Sequence, residues 1–329
     1  MDTITTPTKH ERLRLQLSRK TLIAIGSVAG IAVLLGVLLL IPGVRERISA
    51  WWFAMSVPEE VRSFTLIEGQ SRHIGGTLVR VGGTDFERED MGETRVMDYE
   101  KVGGVEIAIV RKGSLVEVVT LGESGSTHVS DTDLKSGLSV SADGMHALYA
   151  RLPNSYVDGD VVYTPDLSMW KVMLLDLATG QERELATGAA PSFLSAENQS
   201  TVLFAGQSGL ILLDLATGVQ NPTNIPVGSE GTAYVLSDDG RYLALYSSLL
   251  ETYGLYEIYS TDPFAIRPMR ELGAGYAQIA FTGDTMYAIR MTKNGGYEVV
   301  AHDIASGAER LEKLASFPAG MSFIGFETN

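Results

Sequence analysis

The acidic side chains that could bind a metal ion lie in one segment of the sequence, residues 151–169. Asp158 and Asp160 flank a glycine, and Asp166 follows six residues later. Carboxylate oxygens are the ligands that Ca²⁺ prefers in proteins. The spacing differs from that of an EF-hand loop, and the final glutamate of such a loop is absent. Two interpretations therefore stay open, a calcium site and a solvated acidic loop, and we expect no other cofactor.

Catalytic motifs are absent from the rest of the sequence. The histidines are His10, His73, His128, His146 and His302, and none belongs to an H-E-x-x-H zinc motif. The chain has no cysteine, which excludes thiol nucleophiles and disulfide bonds. No P-loop, dinucleotide-binding glycine pattern or G-x-S-x-G turn occurs. The sequence therefore predicts no catalytic residue and favours a protein that is not an enzyme.

Aromatic side chains accompany the acidic ones in the same segment. Tyrosine and tryptophan dominate the energetics of protein interfaces, and acidic groups beside them would attract a basic partner. A solvated surface loop is the alternative. We predict that the segment contacts a protein partner through Tyr156, Asp158, Asp160, Tyr163, Asp166 and Trp170.

The elements that must position this segment are sequence repeats. The sequence LLDLATG occurs at 174–180 and again at 212–218, and each copy is typical of a short strand followed by a turn. If Asp176, Asp214, Tyr259 and Asp303 are equivalent, the repeats are 38, 45 and 44 residues apart. Units of about 40–45 residues with four strands are typical of β-propeller blades.

A second recurring turn carries a family resemblance. Ser141-Ala-Asp-Gly144 and Ser237-Asp-Asp-Gly240 each precede an apolar strand, and Asp-Gly predicts a tight hairpin whose central residues both have positive φ. These turns resemble those of TolB-type propeller repeats, over about 137–329 more than over 60–136. The resemblance implies a propeller that serves as a binding platform or accessory domain, and it implies no activity.

The blade count follows from chain length. Six blades of about 45 residues account for the chain after residue 58, and five blades are the alternative. The ring closes if the end of the chain, 321–329, pairs with strands at 64–67 and 77–81, with a further degenerate blade between residues 95 and 120. The region 82–93 is predicted to be an irregular acidic turn. The fold class is therefore all-β, a six-bladed propeller preceded by one amino-terminal transmembrane helix.

The transmembrane helix is predicted from 21 uncharged residues, 21–41, which are long enough to cross a bilayer. Residues 1–20 carry a net charge of +3, which predicts a cytoplasmic amino terminus and a propeller in the periplasm or outside the cell. A cleaved signal peptide is the alternative, although its apolar core would be shorter. The domains are then a basic cytoplasmic tail (1–20), the helix (21–41), an interfacial helix or linker (42–60) and the propeller (61–329).

Two smaller features concern the membrane. Trp51 and Trp52 suit the membrane interface, with packing against the propeller as the alternative. Gly26 and Gly30 form a G-x-x-x-G pair that could join two helices in a homodimer. Residues 1–47 carry a net charge of +4, which leaves −18 for the remainder of a chain whose total is −14. Such an acidic body disfavours nucleic acid as a partner.

Two functions stay open. The first is a single-pass, membrane-anchored scaffold or accessory subunit that binds a protein outside the cytoplasm, and it predicts a central channel lined by small and apolar side chains. The second is a hydrolase or lyase that uses the central funnel, with Ca²⁺ as an optional cofactor. It predicts acidic, histidine or metal-binding groups that converge at one mouth of the channel. The scarcity of histidines favours the first function.

Overall fold

The computed structural model describes residues 44, 47–48, 51–53 and 63–328, the last range with gaps. The gaps are 72, 83–84, 123–124, 156–165, 196–197, 227–233, 248–249, 274, 313–316 and 318–320. The predicted membrane segment 21–41, with Gly26 and Gly30, lies outside the described residues. Within the described part of the chain, no helix has the length and apolar character of a membrane span.

Two compact units divide the chain, residues 1–52 and residues 53–329. In the first unit, the described positions between 44 and 52 are helical, and the side chains of Trp51 and Trp52 are 60% and 70% exposed. The second unit contains all the described strands.

The described strands form six antiparallel sheets of four strands each, which confirms the six-bladed propeller. Blades 1 and 2 contain β4 (Arg95–Val102), β5 (Val105–Lys112), β6 (Leu115–Thr120), β7 (Thr127–Asp131), β8 (Leu134–Val140), β9 (His146–Leu152), β10 (Lys171–Asp176) and β11 (Glu182–Thr187). Blades 3 and 4 contain β12 (Ala189–Phe193), β13 (Thr201–Gly206), β14 (Gly209–Asp214), β15 (Gln220–Pro222), β16 (Tyr234–Leu236), β17 (Tyr242–Ser247), β18 (Thr252–Thr261) and β19 (Phe264–Glu271). Blades 5 and 6 contain β20 (Tyr276–Thr282), β21 (Thr285–Met291), β22 (Tyr297–Asp303), β23 (Glu309–Leu311), β24 (Phe323–Thr328), β1 (Ser63–Glu68), β2 (Thr77–Gly82) and β3 (Asp85–Arg88).

Blade 6 closes the ring with strands from both ends of the propeller. Its order is β24-β1-β2-β3, and Leu66 of β1 lies opposite Phe326 of β24. The predicted pairing is therefore confirmed. The region 82–93 differs from the prediction, because β3 is a regular strand that pairs with β2.

The hydrophobic core lies between neighbouring blades. One cluster joins Ile107 and Val118 of blade 1 to Tyr149 and Leu175 of blade 2, and all four side chains are buried. Middle strands such as β9 and β13 carry runs of consecutive buried side chains, because each sheet packs against a neighbouring sheet on both faces.

The repeated sequence LLDLATG forms a carboxylate-capped turn. Asp176 ends β10, and its Oδ1 accepts the N–H groups of Ala178 and Thr179 at 3.0 and 2.8 Å. Gly180 then adopts a φ of +70°. Asp214 and Asp303 end β14 and β22 in the same way.

Tyr259 is not equivalent to these aspartates, so that part of the alignment is wrong. Strand β18 continues past Tyr259 to Thr261, and a two-residue connection, 262–263, leads into β19. Because no capping aspartate ends β18 at this position, the hairpin of blade 4 is longer than the others.

The Ser-x-Asp-Gly turns also differ from the predicted hairpin. Between Val140 and His146 the connection has five residues, and only Gly144 among them has positive φ, at +68°. Asp143 Oδ1 accepts the Ser141 hydroxyl at 2.6 Å and the Met145 N–H at 2.9 Å. The aspartate is therefore required for its side-chain oxygen, and its backbone stays right-handed or extended.

The antiparallel order gives the propeller two distinct faces. Connections from first to second and from third to fourth strands lie on one face, which we call the turn face. The N–H of Leu177 donates to the Met145 carbonyl at 2.9 Å and joins two such connections. Connections from second to third strands, and those between blades, lie on the opposite face, which we call the insertion face because it carries the segment after Leu152.

Candidate functional site

The first strands of all six blades line a central cavity of about 200 Å³. Its walls carry Asp98 deep in the channel, and its mouth on the turn face carries Glu100, Asp238 and Glu327. The lining therefore differs from the small and apolar channel that the scaffold function predicts, and acidic groups meet at one mouth, as the enzyme function predicts. The repeat pattern indicated the blades, but it did not indicate that these acidic side chains meet at the channel.

The channel carboxylates of blade 1 bind the backbone of blade 2. Asp98 Oδ2 accepts the N–H groups of Gly137 and Leu138 at 2.9 and 3.0 Å. Glu100 Oε2 accepts the N–H of Val140 at 2.6 Å. Strand β8 has no neighbouring strand on its channel side, so these donors would otherwise lack partners. Both carboxylates therefore stabilise the joint between blades 1 and 2.

Side chains bind inner strands at other joints as well. Tyr234 donates its hydroxyl to the Ala190 carbonyl at 2.5 Å, and Gln278 donates its amide to the Phe323 carbonyl at 3.1 Å. Ser139 Oγ accepts the N–H of Phe193 at 3.3 Å. Much of the polar lining is thus explained by the backbone groups that inner strands leave unpaired.

The mouth of the channel concentrates negative charge. Burial, followed by repulsion from Glu327 and then from Asp98 and Asp238, raises the pKa of Glu100 well above its ordinary value, although the Val140 N–H opposes the shift. Burial and the neighbouring Asp239 raise the pKa of Asp238. Such perturbed carboxylates also occur in acid–base sites. Among the described residues, no three acidic or histidine side chains are placed to hold a metal ion.

The described histidines lie away from the channel. The ring of His128 has its Nε2 2.8 Å from the Thr120 hydroxyl, within the outer half of blade 1, and burial lowers its pKa. His302 is 2% exposed in blade 5, where burial lowers its pKa to about 4 against the attraction of Glu309. Neither histidine lines the cavity, so neither could form an acid–base pair with the carboxylates of the channel.

The predicted partner-binding residues fall into three groups. Tyr156, Asp158, Asp160 and Tyr163 lie outside the described residues. Asp166 is exposed, and its Oδ1 accepts the N–H of Ser168 at 3.1 Å, which caps a 3-10 turn at Leu167–Met169.

Trp170, by contrast, is 5% exposed and packs in the core between blades 1 and 2. The structure therefore places it beneath the surface, because the next residue begins the buried strand β10. The insertion also begins later than predicted, since β9 continues to Leu152.

Sequence reasoning missed the residues that hold the start of the insertion. Asp133, in the link between β7 and β8, accepts the N–H of Asn154 at 2.9 Å through Oδ1. The N–H of Leu134 donates to the Ser155 hydroxyl at 2.6 Å. These contacts cross about twenty residues of sequence, and no motif or periodicity indicates them.

Comparisons with known proteins identify the fold. Neither protein-family models nor curated protein sequences include a match to the chain. TolB from Acinetobacter baumannii is similar in structure, with a TM-score of 0.59, 12% identity, and coverage of 84% of this chain and 69% of that one. The fold is similar to that of TolB. At this identity the similarity concerns the fold alone.

Two further solved structures share the architecture. An oligogalacturonate lyase in complex with manganese has a TM-score of 0.52 and 11% identity, and the match covers 71% of this chain and 70% of that chain. A nidogen/laminin complex has a TM-score of 0.53 and 10% identity, with coverage of 80% and 98%. Propellers similar to this chain thus occur in an enzyme and in a protein complex, so the fold does not select a function.

Proposed function

We propose that this protein is a single-pass, membrane-anchored β-propeller outside the cytoplasm that binds a protein partner, as a scaffold or accessory subunit of a membrane complex. The uncharged segment 21–41 and the basic residues before it support the anchor and its orientation. The exposure of Trp51 and Trp52 supports a place for them at the membrane interface.

The observation that carries the proposal is how the channel uses two of its carboxylates, Asp98 in the channel and Glu100 at its mouth. Asp98 and Glu100 bind backbone N–H groups of the next blade, and the channel lining contains no histidine among the described residues. General acid–base catalysis needs groups that are available to a substrate. The blade-2 insertion, in contrast, departs most from the repeat and lies on a rigid scaffold, where binding residues concentrate.

We assign partner contact to Tyr156, Asp158, Asp160, Tyr163 and Asp166 of this insertion, with Trp170 as the packed residue that ends it. The acidic side chains would attract a basic surface on the partner, and the tyrosines would supply contact area. Ca²⁺ bound by Asp158, Asp160 and Asp166 is a variant of the same proposal.

The test is co-purification of full-length protein from mild detergent. Replacing residues 156–165 with a short Gly-Ser linker should abolish recovery of the partner, and Asp158→Asn, Asp160→Asn and Asp166→Asn together should weaken it. A matched control is Glu87→Gln, Asp90→Asn and Glu93→Gln, the same change in charge at exposed positions of the same face. Unchanged recovery after the linker replacement would place the site elsewhere.

The orientation has its own test. A reporter that is active only outside the cytoplasm, fused after Asn329, should be active. An inactive reporter on a well-expressed fusion would contradict the orientation. Gly26→Leu with Gly30→Leu should abolish cross-linked homodimers if the helices pair as proposed.

A propeller hydrolase or lyase is the second candidate, and the charge at the channel mouth favours it. Glu100, with its raised pKa, and Glu327 would act as acid and base. A panel of glycosides, uronides and lactones tests this function. Turnover by the wild type that Glu327→Gln abolishes would support the enzyme and contradict a purely scaffolding role.

A further inference from the structure

Two arginines lie side by side at the insertion-face end of blade 1. Arg95 begins β4 and lies directly opposite Arg111 of β5. Arg95 is exposed, and Arg111 is half-buried. Side chains directly opposite each other on antiparallel strands have Cβ atoms about 4.5–5.5 Å apart, and like charges in such positions destabilise a sheet. The fold therefore holds two positive charges together where sheet stability alone would disfavour them.

Neither arginine has a carboxylate partner within the part of the chain that the structure describes. By contrast, exposed arginines elsewhere in the propeller form ion pairs, Arg88 with Glu68, Arg241 with Asp284 and Arg267 with Glu257. The chain carries 40 acidic residues against 26 lysines and arginines, so acidic side chains are not scarce. The missing partners of Arg95 and Arg111 are therefore a local property of this end of blade 1.

The acidic side chain in the same row of the sheet is already bound. Arg111 lies opposite Val116 of β6, and Val116 lies opposite Asp131 of β7, so the three side chains share one face. Asp131 Oδ1 accepts a hydrogen bond from Lys135 Nζ at 2.5 Å, and its Oδ2 lies 3.3 Å from the Arg151 guanidinium. Because both oxygens of Asp131 have basic partners, this carboxylate does not compensate the arginine pair.

The turn after β5 extends the same surface. Arg111 donates its Nε–H to the Gly113 carbonyl at 3.1 Å, which orients the guanidinium and uses only one of its N–H donors. Lys112 is exposed, and Leu115, which lies opposite it, is 40% exposed. Two guanidinium groups, an ammonium group and an apolar side chain thus occupy one end of blade 1. We call Arg95, Arg111, Lys112 and Leu115 the basic patch.

We propose that the basic patch binds a short acidic segment of a partner protein. Guanidinium groups bind carboxylates through paired hydrogen bonds, and two of them at neighbouring positions fit a run of Asp or Glu side chains. Leu115 adds an apolar contact that a peptide can use and an inorganic anion cannot. The acidic body of the protein repels extended anionic surfaces, such as nucleic acid or a charged bilayer, so the charges favour a short segment.

This surface goes beyond the proposed function, because it is opposite in charge to the blade-2 insertion and lies on another blade. Its test uses a hexaglutamate peptide that carries a neutral fluorophore. Binding of this peptide to full-length protein in non-ionic detergent is measured by fluorescence anisotropy. We expect binding at low salt that weakens as salt is added, because salt screens exposed charges.

Arg95→Gln together with Arg111→Gln should weaken binding of hexaglutamate about tenfold, because charge-assisted hydrogen bonds to its carboxylates are lost. The matched control is Arg183→Gln with Lys293→Gln, the same change in charge at exposed positions of blades 2 and 5. The control protein should bind the peptide as the wild type does. Equal weakening in the two double variants would show that only the total charge matters, and would overturn the proposal.

Competing ligands test the chemical class of the partner. Wild-type protein that does not bind hexaglutamate, or that binds hexaglutamine equally well, would contradict the proposal. Unlabelled hexaglutamate should displace the labelled peptide at lower concentration than inorganic phosphate or mixed micelles that contain phosphatidylglycerol. Stronger displacement by phosphate would assign the patch to a small anion, and stronger displacement by the micelles would assign it to lipid; either result overturns the acidic segment.

Melting temperatures give a second readout of the same arginine pair. Arg95→Gln should melt at or above the wild-type temperature at low salt, and the difference should disappear at about 1 M salt, where the screening length is about 3 Å. A lower melting temperature of Arg95→Gln at low salt would show a structural role for Arg95 and would contradict the assignment. If the double variant fails to fold, Arg95→Gln alone replaces it in the peptide assay, and unchanged binding by that protein overturns the proposal.

Discussion

Ring closure depends on β24, and removing that strand should unfold the propeller. Ending the chain at Gly320 deletes Phe323, Ile324 and Phe326, whose side chains are only 6–7% exposed. The Phe326 ring lies 5.3 Å from that of Phe64, and the Phe323 ring lies 5.3 Å from that of Phe317. Truncating a buried phenylalanine costs about 3–5 kcal/mol.

The free energy lost with two such side chains is comparable to the total free energy of unfolding of a typical domain, about 5–15 kcal/mol. The deletion also exposes the edge of β1, which β24 covers over Phe64–Glu68. We therefore expect no cooperative thermal transition for the truncated chain, measured by circular dichroism of full-length and truncated protein in the same detergent. Ser322→Ala, at an exposed position just before β24, is the control and should melt like the wild type.

Moving a copy of β24 to the start of the propeller gives a second test of this prediction. Thr328 lies opposite Phe64 in an antiparallel pair, so a short Gly-Ser connection could lead from a copy of residues 321–328 directly into Ser63. Adding that copy before Ser63 in the truncated chain should restore the melting transition. A truncated chain that melts at the wild-type temperature without the copy would refute closure by β24.

Three further predictions concern pH and backbone conformation. Burial lowers the pKa of His302 to about 4, from an unfolded value near 6.5. The stability that the neutral His302 ring contributes is therefore complete above pH 6.5 and is lost as the pH falls to 4, a change of up to about 3 kcal/mol. His302→Phe should remove this part of the pH dependence of the unfolding free energy, measured with urea. Because the pKa of Glu100 is raised, the stability that its carboxyl group contributes is complete below the unfolded pKa and is lost as the pH rises through the folded pKa. Glu100→Gln retains an acceptor for the Val140 N–H, so it should be more stable than wild type at pH 7, and the difference in unfolding free energy should close toward pH 4.5. A Glu100→Gln protein less stable than wild type at pH 7 would contradict the repulsion. Gly137→Ala should lower the melting temperature of the propeller more than Gly283→Ala. Both glycines have positive φ, but only at Gly137 would the added Cβ meet backbone, 2.9 Å from Ala190 Cα. Equal melting temperatures of the two variants would exclude the clash.

The parts of the fold that the sequence predicted are those that local patterns control. Blades were indicated by the two copies of LLDLATG and by the spacing of Asp176 and Asp214. Ring closure was indicated by the apolar strand at the end of the chain. Capping by Asp176 and the glycine conformation after it are local properties of a few residues. Such properties transfer directly from sequence to structure.

The site was harder to predict because its interactions are not local. Asp98 and Glu100 belong to no motif in the sequence, yet they bind the backbone of a strand some forty residues away. Trp170 read as an interface residue, although it packs in the core. Only the arrangement of blades around the channel shows which face of each strand meets its neighbour.

The pairing of β24 with β1 also constrains when the protein can fold. Residues 64 and 328 are adjacent in blade 6, so the ring cannot close until nearly the whole propeller has left the ribosome. Contacts of such sequence separation form late, because the entropy of closing the loop must be lost first. Until then the nascent chain presents an open strand edge, a state prone to aggregation. We therefore expect this propeller to depend on chaperones during synthesis more than an equally long chain whose blades close locally.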